Sequence, residues 1–191
     1  MRIIGGIARG RKLLTPRKGP DGRTIRPTSA RAREAVFNII GSEVRGATVL
    51  DLFAGTGAMG LEALSRGAAT AVFVDNNSAA VRLLGRNIDH CGFTDRATVV
   101  RRDLARPLIF LREFVQAAGF SLIFIDPPYR HDFGGMILDP LGRAEILAGS
   151  GLVIYEHAAE GRLPGETGNL QLVDQRQYGE AGFGFYRYRE V

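Results

Sequence analysis

The chain has 191 residues, 45% hydrophobic and 24% charged, which suits one globular domain and excludes disorder throughout. No apolar run reaches the roughly 18 residues of a membrane-spanning helix, and a lone cysteine, Cys91, excludes an internal disulfide or a Cys-based metal cluster. The net charge of +5 conceals a polarity: residues 1–34 carry ten bases and two acids, +8 in all, which leaves −3 for the remainder. A basic arm on a mildly acidic body points to a polyanionic partner. The start, Met1-Arg2-Ile3-Ile4-Gly5-Gly6, has no apolar leader, so a cytoplasmic protein is expected. His90, His131 and His157 lack ligand spacing, so no metal is expected, and neither is a membrane partner.

In chain order, residues 2–15 read as a short, Gly-interrupted pair of strands. Residues 16–27, with Pro16, Gly19, Pro20, Gly22 and Pro27, have loop chemistry. A basic extension over 1–27 is therefore expected ahead of a domain over 28–191. A helix should start at Thr28 or Ser29, both good caps, and run to Gly41. Its apolar stripe is Ala32, Val36, Phe37 and Ile40, with Arg31 and Arg33 off it. From residue 48 strands and helices alternate: TVLDLF, a helix to Gly67, TAVFVD, a helix to Gly92, ATVVR, a helix at about 107–118, SLIFID, a helix at about 134–148, then GLVIYEH. This alternation predicts a parallel sheet covered on both faces. Residues 170–176 and 183–189 read as a closing antiparallel hairpin. The expectation is a doubly wound, Rossmann-like α/β sandwich with a mostly parallel seven-stranded sheet.

Ligands of such sheets sit beyond the carboxyl ends of the strands. The first strand ends in Asp51-Leu52-Phe53-Ala54-Gly55-Thr56-Gly57-Ala58-Met59-Gly60, the second in Asp75, followed by Asn76. The third is followed by Asp103 and Leu104, and the fourth by Asp126-Pro127-Pro128-Tyr129. Four strands thus deliver a carboxylate to one edge. Gly55, Gly57 and Gly60 match a dinucleotide-binding pattern, but Asp51 would repel a pyrophosphate and hold a cationic amino acid moiety. At Asp126–Tyr129 two prolines stiffen the backbone and leave carbonyls free. A carboxylate, a rigid carbonyl and an aromatic ring suit an exocyclic amine on a stacked base. Arg130 follows as a candidate nucleotide contact, and Glu156 with His157 at the fifth strand end could form a pocket wall.

The stretches DLFAGTGAMGLEALSRGA, FVD, DPPY, RPTSARAREAVFNII and RIIGG resemble the bacterial S-adenosylmethionine-dependent methyltransferases of the small-subunit ribosomal RNA guanine-N2 family, over nearly the whole chain. The resemblance implies that Asp51, Phe53, Gly55 and Gly57 hold the methionine part of the cofactor, Asp75 and Asn76 the ribose, and Asp103 and Leu104 the adenine. It implies that Asp126, Pro127, Pro128 and Tyr129 position the target amine. The implied substrate is one guanine, conventionally numbered 966, in 16S rRNA of an assembling 30S subunit, with the enzyme a monomer. Arg9, Arg11, Lys12, Arg17, Lys18, Arg23, Arg26, Arg31 and Arg33 are the candidate RNA contacts of the arm. Two alternatives remain from the residues alone: an adenine-N6 methyltransferase on DNA or RNA, and a non-catalytic nucleic-acid-binding module.

Overall fold

The computed structural model of the chain describes residues 1–16, 29–115, 118–127 and 133–189. The strands are β1 (Thr48–Leu52), β2 (Thr70–Asp75), β3 (Ala97–Arg101), β4 (Phe120–Ile125), β5 (Leu147–Ala158), β6 (Glu166–Thr167), β7 (Leu170–Tyr178) and β8 (Ala181–Tyr188). They form one sheet in the order β3-β2-β1-β4-β5-β8-β7-β6. The first five pair in parallel, and β8, β7 and β6 add antiparallel. The sheet therefore has eight strands where seven were expected. The extra one is two residues long, too short to show alternation. From β1 the chain winds outward to β2 and β3, then returns to β4 on the other side. That reversal opens a crevice at the carboxyl ends of β1 and β4.

Helices α1 (Ala30–Ile40), α2 (Ala58–Ser65) and α3 (Ser78–Cys91) cover one face, and α4 (Phe133–Arg143) covers the other with a 3-10 helix, Leu108–Phe114. Alternate strand residues feed two cores. Val49, Phe73, Leu122, Phe124 and Ile154 meet Val36, Phe37, Leu61 and Leu84. Leu50, Val74, Ile123, Ile125 and Val153 meet Leu111, Ile137 and Leu141. Burial on both faces is what near-continuous apolar strands require. Ser29 Oγ accepts from Ala32 N and starts α1; Asn77 caps α3 likewise, and Gly92 in the left-handed region ends it. The helical stretch expected at about 107–118 is a 3-10 helix over Leu108–Phe114: Leu108, Leu111 and Phe114, three apart, face the core together. No helix among the described residues is long and apolar enough to cross a membrane.

The first sixteen residues form the expected strand pair only in part. Only one isolated bridge forms, between Arg2 and Lys12. Ile3 N, Gly10 N and Leu13 N still bond across the arm, to Arg11 O, Ile3 O and Met1 O, while Ile4, Gly5, Ile7 and Ala8 turn their N–H groups to the body. Glu62, fully buried on α2, accepts from Ile4 N and Gly5 N, each at 2.8 Å, and from Arg66 Nε. Ser65 Oγ accepts from Ala8 N and donates to Gly5 O. Ile3, Ala8 and Leu13 join the core beside α1–α3. Arg33 is also inside: it is fully buried, gives Nη2 to Arg2 O, and stands 3.7 Å from Glu62. This corrects the reading of Arg33 as a phosphate contact. Burial pushes its pKa down and Glu62 opposes that shift.

Glu62 is therefore a hub that no one partner can replace. Removing one member of a buried ionic set typically costs about 3–5 kcal/mol. A Glu62→Ala variant is expected to lose stability on that scale in urea unfolding. A loss within about 0.5 kcal/mol, the range of ordinary surface changes, would contradict the hub.

Candidate active site at the carboxyl edge of the sheet

Asp51 lies in β1, 3% exposed, beneath the loop that leads to α2. Its Oδ2 accepts from Gly60 N at 2.9 Å, and its Oδ1 accepts from none of the described residues. Burial raises its pKa to about 7; the Gly60 N–H opposes the rise and the Asp75 charge adds to it. A buried carboxylate with a free oxygen is costly unless a cation comes to it.

The loop over Asp51 is held by named contacts. Phe53 adopts φ 58°, a conformation that costs a non-glycine residue about 1–3 kcal/mol and tends to mark working sites. Gly55 N donates to Asp75 Oδ2 at 2.8 Å, and Asn77 N donates to Asp75 Oδ1 at 2.8 Å. Two glycines are required by contact. A Cβ on Gly57 would lie 2.3 Å from Leu84, and one on Gly60 would lie 2.3 Å from the Phe73 ring. The second is the close helix-to-strand approach that such loops need. No side chain caps α2, so the N–H groups of Ala58 and Met59 face the crevice end without a side-chain acceptor.

Around this loop stand the other expected residues. Asp75 is half-buried, and Asn76 beside it is exposed, its carbonyl accepting from Arg101 Nε. Asp103 is exposed, with Oδ1 accepting from Ala105 N, while Leu104 is buried under it. Asp126 follows β4 directly, and its N donates to Leu52 O at 3.4 Å, which carries the ladder to β1 one step further. Pro127 is buried behind it. Asp51, Asp75, Asp103 and Asp126 thus all sit at the same edge of the sheet. Pro128, Tyr129 and Arg130, and Arg17, Lys18, Arg23 and Arg26 of the arm, lie outside the described residues. A cleft of about 450 Å³ lined by Arg45, Ala47, Ser121 and Arg187 lies at the opposite end, where β1 and β4 begin.

One residue with no place in the sequence reading ties the arm to this loop. Asn87 is fully buried on α3; its Oδ1 accepts from Leu14 N, and its Nδ2 donates to Leu14 O and to Thr56 O. Its signal was present in the sequence: an amide on the apolar stripe of Leu84, Ile88 and Cys91. Glu62, an acid in an otherwise buried helix of small and apolar residues, was a similar signal. Of the arm's cations, Arg9, Arg11, Lys12 and Arg31 are exposed, and Arg11 also donates to His90 O at the end of α3.

Known proteins resemble this chain in sequence and fold. The family model described as "Conserved hypothetical protein 95" matches residues 1–187. Ribosomal RNA small subunit methyltransferase D of Escherichia coli (strain K12) is 34% identical over 187 residues, 98% of this chain and 89% of that one. The chain belongs to this family. A solved hypothetical protein of Thermus thermophilus is 33% identical, with TM-score 0.80 over 98% of this chain and 99% of that one. A complex of SMU.776 with SAH, 20% identical, with TM-score 0.67 over 87% of this chain and 51% of that one, shares the fold alone. The expected Rossmann-like methyltransferase architecture is thereby confirmed.

Proposed function

We propose that this chain transfers a methyl group from S-adenosylmethionine to the exocyclic N2 amine of a guanine in 16S rRNA, the one numbered 966 by family resemblance, on small-subunit particles in the cytoplasm. The observation that carries the reading is Asp51, a buried carboxylate with one free oxygen under a strained glycine loop, at the edge where three more carboxylates stand.

These residues fit the cofactor. Asp51 Oδ1 would take the methionine ammonium, and the uncapped first turn of α2 would take its carboxylate. Asp75 keeps lone pairs for the ribose hydroxyls after serving Gly55 and Asn77. Asp103 would meet the adenine amine, over Leu104. S-adenosylmethionine supplies an electrophilic methyl on a sulfonium when bound there. The chain's own part is orientation and electrostatics. Asp126 Oδ and the Pro127 carbonyl accept the two N–H bonds of the target amine, which turns its lone pair toward the methyl. No strong base is needed before attack, because the methylated nitrogen is acidic and loses its proton readily. Tyr129 would stack on the base, unstacked from its loop.

Calorimetric titration tests the cofactor. S-adenosylmethionine is expected to bind with one-to-one stoichiometry while NAD gives no heat; the reverse would remove the reading. Arg9, Arg11, Lys12 and Arg31 provide exposed charge for phosphates. Truncation of the arm would also strip Glu62, Ser65 and Asn87 of partners, so charge substitutions test it better. An Arg9→Ala, Arg11→Ala, Lys12→Ala triple variant is expected to keep its S-adenosylmethionine affinity. The slope of log affinity for RNA against log salt should fall by about 2–3. An unchanged slope would remove the arm from the interface.

A further inference from the structure

Asp126 does not stand alone on its side of the crevice. β4 and β5 pair in parallel with Ile123 beside Val153, Phe124 beside Ile154 and Ile125 beside Tyr155. One step further puts Asp126 beside Glu156. The faces agree: Leu122, Phe124, Leu152 and Ile154 belong to the core under α1–α3, and Ile123, Ile125, Val153 and Tyr155 to the other. By that register, continued one residue past the last pair, Asp126 and Glu156 fall on the first face, one strand spacing of about 4.8 Å apart. Glu156 is 4% exposed, and its other neighbour, on β8, is the fully buried Phe183. Beside them, at the end of β1, stands Asp51, whose Oδ1 accepts from none of the described residues. The Watson–Crick edge of guanine presents N1–H next to the N2 amine, two adjacent donor groups. Adenine presents its amine next to N1, which is an acceptor.

We propose that Glu156 is the guanine-selecting residue: its carboxylate accepts N1–H while Asp126 accepts from the N2 amine. This rests on the methyltransferase reading above. Adenine is refused because its N1 lone pair would meet a desolvated carboxylate. Sites built around a hydrogen bond reject analogues lacking it far more strongly than apolar pockets reject a misfit.

The test compares the same small-subunit RNA substrate with guanine, 2-aminopurine or N1-methylguanine at the methylated position. Both analogues keep the 2-amine and lack N1–H. The wild-type enzyme is expected to methylate each at least 100-fold less efficiently than guanine; an analogue accepted within tenfold would overturn the proposal without any variant. Glu156→Gln can donate to an unprotonated N1, so its guanine-to-2-aminopurine ratio of kcat/KM should fall at least tenfold from wild type. A ratio compares two substrates of one preparation, so partial misfolding cancels, as does the O6 that 2-aminopurine lacks. A ratio within twofold of wild type would overturn the assignment and leave Glu156 a structural acid. No methylation of the guanine substrate by wild-type enzyme would instead remove the underlying reading.

Discussion

Asp51→Asn is expected to weaken S-adenosylmethionine binding about 10- to 100-fold, the worth of one hydrogen bond to a charged group. The asparagine carbonyl still accepts from Gly60 N, so the loop and the melting temperature should hold; what is lost is the charge facing the ammonium. The pH dependence separates this role from a structural one. Burial raises the Asp51 carboxyl to about 7. At pH 6 the group is mostly protonated, and binding a cation must expel that proton. Wild-type affinity should therefore fall toward tenfold per unit below pH 7 and level off above about 8. The variant should be flat over that range. The same shift has the opposite sign for the unliganded fold. A carboxyl ionising near 4 when unfolded and near 7 when folded costs stability as pH rises through that window. Calorimetry in buffers of different ionisation enthalpy reads the proton release directly. Equal affinity of wild type and variant at pH 8 would mean that Asp51 only anchors Gly60.

Asp126→Ala should leave S-adenosylmethionine affinity within about twofold and lower kcat at least about 100-fold. Asp126 follows β4, on the far side of β1 from the Asp75 end of β2, so cofactor affinity is expected to depend little on it. Its loss frees the target amine to rotate, and a misoriented attack costs about 100-fold or more. Asp126→Asn keeps a carbonyl acceptor and should fall between the two. Single-turnover rates on saturating RNA are the measurement; near-normal turnover of the alanine variant would deny Asp126 the orienting role.

The strands, the caps at Ser29 and Asn77, and the edge carrying Asp51, Asp75, Asp103 and Asp126 were legible because each rests on local chemistry. A strand's apolar run ends where its carboxylate begins, and a cap lies next to its helix. What the sequence hid depends on distant partners. Arg33 falls off the helix stripe by periodicity, yet it is drawn inside by Glu62 and the Arg2 carbonyl, 29 and 31 residues away. The arm looked like a free hairpin because its Gly5-Gly6 and Gly10 turns are local. Three of its backbone donors, Ile4 N, Gly5 N and Ala8 N, are spent on Glu62 and Ser65, which periodicity along the arm does not reveal. The two-residue β6 exists only because β7 offers an edge to pair with. The adjacency of Asp126 and Glu156 needs the register of β4 on β5, which is disturbed between Phe120 and Leu122 and could not be counted along the chain.

The most direct measurement is labelled-methyl transfer from S-adenosylmethionine to unmethylated 30S particles, free 16S rRNA and DNA side by side, followed by mass spectrometry of the nucleosides. N2-methylguanosine, formed in the ribosomal substrates and absent from the DNA, is the predicted product. N6-methyladenosine, label in the DNA alone, or no transfer to any of the three would contradict it.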